Sequence, residues 1–169
     1  MKTLPERKPN RLEGYDYSRG GAYFLTVCTK GKSSILSHVV GRGILDAPGT
    51  ELTEYGTAVD AAIHYLHAHL DDVFVESYVI MPNHIHLLVR LTGGASGRPR
   101  PTANHRQNST VPKFISSLKR YTNRACGREL WQTSYYDHII RNEQDFLTKL
   151  NYIETNPARW ADDPYYPKH

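Results

Sequence analysis

The chain has 169 residues, 22% of them charged and 39% hydrophobic, with a formal net charge of +4 at neutral pH. These values fit one soluble globular domain and exclude a collagen-like, disulfide-scaffolded or wholly disordered chain. No apolar run approaches the roughly 18 residues of a membrane span. The N-terminal MKTLPERKPNR has no apolar core after its basic residues, which excludes a signal peptide and makes a cytoplasmic location the expectation. The positive balance favours a polyanionic partner such as nucleic acid.

Residues 1–21 are polar and carry Pro5, Pro9, Gly14, Gly20 and Gly21, so they read as a basic arm. Arg11 and Arg19 stand beside Tyr15 and Tyr17 in it. Cations neutralise phosphates and tyrosine rings stack on unpaired bases, so the arm suits a nucleic-acid contact, with a solvated tail as the bland alternative. Ala22 to Thr29, rich in aromatic and β-branched residues, is predicted as a buried first strand. Residues 30–50 read as loop, with room for a short strand near Val39–Leu45. Leu52 to Leu70 is the first predicted helix, with Thr53 or Thr50 as its cap. Val73 to Met81 and His84 to Leu91 are two further strands around a Pro82-Asn83 turn, a hairpin expected at the centre of the sheet.

Residues 93–110 hold three glycines, two prolines and three arginines, and read as a flexible loop whose Arg98 and Arg100 can reach a nucleic-acid backbone. Val111 to Cys126 is the second helix, capped by Thr110, with Pro112 in its first turn and Lys119, Arg120 and Arg124 off its apolar face. A short strand ends near Ile140, and Glu143 to Thr155 is the third helix, capped by Asn142 and stopped by Asn156-Pro157. The tail ADDPYYPKH reads as polar and extended. The two cysteines, Cys28 and Cys126, form neither a disulfide framework nor a zinc motif. The element order is an α+β, ferredoxin-like pattern: an antiparallel sheet with helices packed on it, in a single domain over 1–169.

Within YVIMPNHIHLLVR, residues His84 and His86 are two apart on a strand, so both imidazoles leave one face and Ile85 the other. Two neutral imidazoles side by side can grip one divalent metal. A buried histidine also needs a hydrogen-bond partner, and two in an otherwise apolar strand are hard to explain as structural.

MPNHIHLLV resembles the His-hydrophobic-His (HUH) motif of single-tyrosine transposases, in the branch of the REP-associated tyrosine transposases. GYDYSRGGAYFLTVCT, WQTSYYDHIIRNEQDF and YIETNP match the same family in its order. The resemblance implies the HUH endonuclease fold and a metal-dependent enzyme that nicks and rejoins single-stranded DNA near hairpins of repetitive palindromic elements, through a 5′-phosphotyrosine intermediate. It implies His84 and His86 as ligands of Mg²⁺ or Mn²⁺, with imidazole tilting the choice toward Mn²⁺. It also implies DNA contacts from the arm, from the 93–110 loop and from Lys119, Arg120 and Arg124.

A tyrosine hydroxyl titrates near ~10 and needs a nearby cation to attack phosphorus. Tyr121, in SLKRYTNR on the second helix, matches the family's nucleophile by position. Relatives often place a polar metal ligand one turn later, where this chain has Ala125. Asn123, Glu76, His138 or water are the candidates for that third position, and His138 is the strongest active-site neighbour among them. The gap keeps open a domesticated hairpin-binding protein without cleavage activity. Relatives work as monomers and as homodimers that exchange the tyrosine helix, and the short gap from His86 to Tyr121 favours attack within one chain.

Overall fold

The computed structural model describes residues 21–41, 48–92 and 110–167. Residues 1–20 of the basic arm and all but the last residue of the 93–110 loop lie outside them, and with them the predicted contacts of Arg11, Tyr15, Tyr17, Arg19, Arg98 and Arg100.

Four antiparallel strands form the main sheet: β1 (Gly21–Cys28), β4 (Val73–Ile80), β5 (His84–Leu91) and β6 (Tyr136–Ile140), in the order β4-β5-β1-β6. With helices α1 (Glu54–His69) and α2 (Thr110–Cys126) between them, this is the expected α+β, ferredoxin-like order. A separate hairpin pairs β2 (Ser37–Val40) with β3 (Gly49–Leu52); it overlaps the short strand expected near Val39–Leu45 only at its start, and residues 42–45 of that strand lie outside the described residues. The Pro82-Asn83 hairpin forms, with β5 central but β4 at the edge of the sheet.

β1 and β5 are buried along most of both faces, one face apolar throughout and the other mixing Phe24 and Leu88 with Thr26, His84 and His86. On one face Tyr23, Leu25 and Val27 of β1 and Ile85, Leu87 and Val89 of β5 join Val59, Ile63 and Leu66 of α1 and Phe114, Ile115 and Leu118 of α2 in the main core. On the other face Phe24 and Leu88 meet Ile153, Phe146 and Leu150 of α3 (Glu143–Thr155).

Local chemistry fixes the helix starts. The Thr53 hydroxyl accepts from the Gly56 amide at 3.2 Å, and the Asn142 side chain accepts from the Asp145 amide at 2.8 Å. Gly56 is buried where a Cβ would collide with the carbonyl oxygen of Leu36, so the start of α1 lies directly on the chain before β2. After Asn156-Pro157 the chain makes a 3-10 turn (Pro157–Asp162) and folds back. This corrects the expectation of an extended tail: the Tyr165 carbonyl accepts from Asn83 Nδ2 at 2.8 Å, which anchors the tail at the β4–β5 turn.

Candidate metal centre

His84 and His86 lie on the face of β5 that looks toward α3 and the tail, and both are buried. Their Nε2 atoms are 3.0 Å apart. His84 Nδ1 lies 2.8 Å from Asn83 Oδ1, an atom that can only accept, so Nδ1 carries the proton and Nε2 presents a lone pair. His86 Nδ1 lies 2.8 Å from the Thr26 hydroxyl, directly across the β1–β5 ladder. That hydroxyl serves either tautomer. If His86 Nδ1 donates to it, two Nε2 lone pairs face one another, an arrangement that a cation relieves.

The third member comes from the tail. His84, His86 and Asp163 offer ligand atoms that all lie within 4.8 Å of one another, and all three residues are buried. Asp163 is held on several sides. Its Oδ1 accepts from the Tyr165 amide at 2.7 Å, and its Oδ2 accepts from Asn156 Nδ2 at 3.1 Å and the Tyr152 hydroxyl at 3.3 Å. Burial lowers His84 to about 4, with Asp163 opposing the shift, and burial and the neighbouring His84 push His86 well down. Both rings are therefore neutral at pH 7 and available as ligands. Two imidazole nitrogens and a carboxylate oxygen are a donor set that fits a divalent first-row metal. Aromatic rings wall the cluster: Tyr165 stands 4.7 Å from His84, and Phe24 and Tyr152 stand 5.0 Å and 5.2 Å from His86.

The structure does not bring the other expected residues together here. Glu76 sits at an irregularity in β4 and pairs with Arg90 at 2.8 Å. Arg90 is four residues along β5 from His86, about 13 Å away at strand rise. Asn123 accepts from the Leu130 amide at 2.9 Å and closes the turn after α2. His138 shares the face of the histidine pair, but Phe24 of β1 separates them, and its Nε2 bonds Asp145 at 2.9 Å.

Tyr121 is on α2, across the sheet from the histidines, with its ring 5.2 Å from Tyr65 of α1. Lys119, about 200° away around the helix, donates to the carbonyls of Gln132, Thr133 and Ser134, so its ammonium is engaged within the chain. Arg120 lies over the Tyr121 ring at 5.5 Å, and Arg124 is exposed.

Sequence reasoning missed Asp163, Asn83 and Thr26. Asn83 registers in the sequence only as a turn residue, and Thr26 as one β-branched residue of a strand. Asp163 belongs to a polar tail, and no local pattern carries it to β5.

The family described as "Transposase IS200 like" matches residues 53–156, a span that includes His84, His86 and Tyr121 and stops short of Asp163. An uncharacterised protein of Haemophilus influenzae is 27% identical over 96% of this chain and 94% of its own length. The REP-associated tyrosine transposase of Escherichia coli K12 is 26% identical over 85% of this chain and 70% of its own. A solved structure described as the REP-associated tyrosine transposase bound to a REP hairpin shares the fold, with a TM-score of 0.58 at 20% identity over 94% of this chain and 74% of that one. The chain belongs to the IS200-like transposase family, and over most of its length it is similar to the REP-associated tyrosine transposases.

Proposed function

We propose that this chain is a metal-dependent, single-tyrosine transposase that nicks and rejoins single-stranded DNA beside a hairpin, leaving a 5′-phosphotyrosine intermediate. The observation that carries the reading is the buried His84–His86–Asp163 cluster, whose ring orientations are set by Asn83 and Thr26. A bound Mg²⁺ or Mn²⁺ would act there as Lewis acid and template for the scissile phosphate. The chain's own residues do the rest. Asn83 keeps His84 Nε2 unprotonated, Thr26 orients His86, and Asn156 and Tyr152 hold Asp163 toward them. The hairpin DNA carried by the solved relative is the substrate class proposed for this chain.

Tyr121 is the proposed nucleophile. The tyrosines that touch the histidines are poor candidates for it: burial pushes Tyr165 up to about 12, with Cys28, Tyr152 and Asp163 adding to the shift, and burial raises Tyr152 too. Because Tyr121 stands across the sheet from its own histidines, attack requires either a second copy's α2 or a rearrangement of α2. A denaturing gel of protein incubated with Mn²⁺ and labelled single-stranded hairpin DNA tests this. A labelled band at the protein's mass should disappear in Tyr121→Phe and in His84→Ala. Mixing the two variants should restore it if the tyrosine acts on a second copy, and should leave it absent if α2 moves within one chain. A band that survives Tyr121→Phe would sink the assignment. The same displacement of Tyr121, with Ala125 one turn on, favours a second reading: a hairpin-binding protein without cleavage. A native gel shift with no covalent band under any of these conditions would establish it.

A further inference from the structure

A cleft of about 180 Å³ opens beside the metal cluster, with Thr26 and Cys28 lining it. These are the β1 residues paired with His86 and His84, so the cleft is continuous with the histidine face. Tyr165 and Tyr136 also line it, and Tyr136 is 55% exposed. Tyr136 pairs with Thr26 on the far side of β1, so His86, Thr26 and Tyr136 form one row across three strands. Two interstrand steps put Tyr136 about 10 Å from His86, a reach that single-stranded nucleic acid covers within a nucleotide or two.

A cation is set at the mouth. Lys32, another lining residue, stands over the Tyr165 ring at 5.2 Å. Its backbone is left-handed at φ 54, an uncommon state for a side chain other than glycine. The surrounding structure holds it there: the Lys32 amide donates to Thr29 O at 3.0 Å, and Asn83 Nδ2 donates to Lys32 O at 3.3 Å. Asn83 thus ties the Lys32 turn to the same ring it orients, His84. The polar residues Gln132 and Ser134 line the cleft as well.

We propose that this cleft seats an unpaired nucleotide of the DNA strand next to the scissile phosphate, its base stacked on Tyr136 and its phosphate at Lys32. An aromatic platform beside a cation is the pattern by which proteins hold single strands, and it tolerates any base because every base has a π-face. The inference rests on the single-strand reading above. It assigns a substrate contact to Tyr136 and Lys32, which lie outside the metal cluster.

The test is fluorescence anisotropy with the full chain in EDTA, so that neither metal nor cleavage contributes. One probe is a DNA hairpin with a single-stranded flank of about eight nucleotides, and the other is the same hairpin with a blunt end. The flanked probe should bind more tightly. Tyr136→Ala should weaken it by about 5- to 100-fold and leave the blunt probe unchanged, while Tyr136→Phe stays near the parent. Lys32→Gln should lower the slope of log affinity against log salt by about 0.7 for the flanked probe. A wild-type chain that binds both probes equally or neither, a Tyr136→Ala variant that binds as the parent does, or an equal loss on both probes overturns the proposal. Calorimetric titration with Mn²⁺ is read separately: its failure would remove the metal reading and leave the flank comparison standing.

Discussion

Asn83 is fully buried, and its side chain reaches His84, the Lys32 carbonyl and the Tyr165 carbonyl. Removing a partner that orients a metal-bound histidine typically costs 10–100-fold in metal affinity. Asn83→Ala should therefore weaken Mn²⁺ binding by about that factor, and Asp163→Asn by at least as much, in calorimetric titration. Unchanged affinity in Asp163→Asn would remove the tail from the donor set. The histidines also make a statement about stability. Both have folded-state values below the unfolded value near 6.5, with His84 near 4. Below pH 6.5 the unfolded chain binds more protons than the folded one, so stability present at pH 7 is lost as pH falls toward 4, on the order of 1 kcal/mol per pH unit for each histidine. Urea midpoints of the metal-free protein at pH 7, 6 and 5 should decline, and the His84→Asn, His86→Asn double variant should decline less. The histidine pair was legible because a period of two in an apolar strand is a local signal. Asp163 was not, because its role depends on where a distant turn folds back.

At the scale of elements, strands and helices whose faces are buried announced themselves. β1, β5, α1, α2 and α3 appear near their expected bounds, and Thr53 and Asn142 cap their helices as expected, while Thr110 is the first residue of α2 and its hydroxyl donates to Asp72. The misjudged elements are those whose conformation tertiary contacts decide, such as the 3-10 turn after Pro157 and the β2–β3 hairpin. Tyr121 belongs here as well. The sequence put it on α2, but which side of the sheet α2 covers is a matter of topology. Gly56 shows how tightly an element is seated. Gly56→Ala would normally favour a helix, yet here the methyl group meets the Leu36 carbonyl. The expected outcome is destabilisation by about 1–3 kcal/mol in urea unfolding, with the opposite sign to helix propensity.

Across the whole molecule, the sheet separates two tasks. One face carries the large core under α1 and α2, while the other carries the histidines, the aromatic walls and a smaller cluster under α3. Such a division lets the site keep buried polar groups without weakening the main core. The formal charge of +4 adds a long-range attraction for nucleic acid. Hairpin affinity should therefore fall steeply between 50 and 200 mM salt, and a flat salt dependence by gel shift would argue against phosphate contacts as its basis.

The tail that folds back on the β4–β5 turn also sets a timetable. Asn83 and Tyr165 lie 82 residues apart in the chain. At ribosomal speeds of about 5–20 residues per second, the histidine strand emerges roughly 4–16 s before the residues that complete its donor set. A nascent chain thus carries two of the three proposed ligands before Asp163 is made. On the proposed metal reading, tight binding would await the arrival of that single late turn rather than the folding of the sheet.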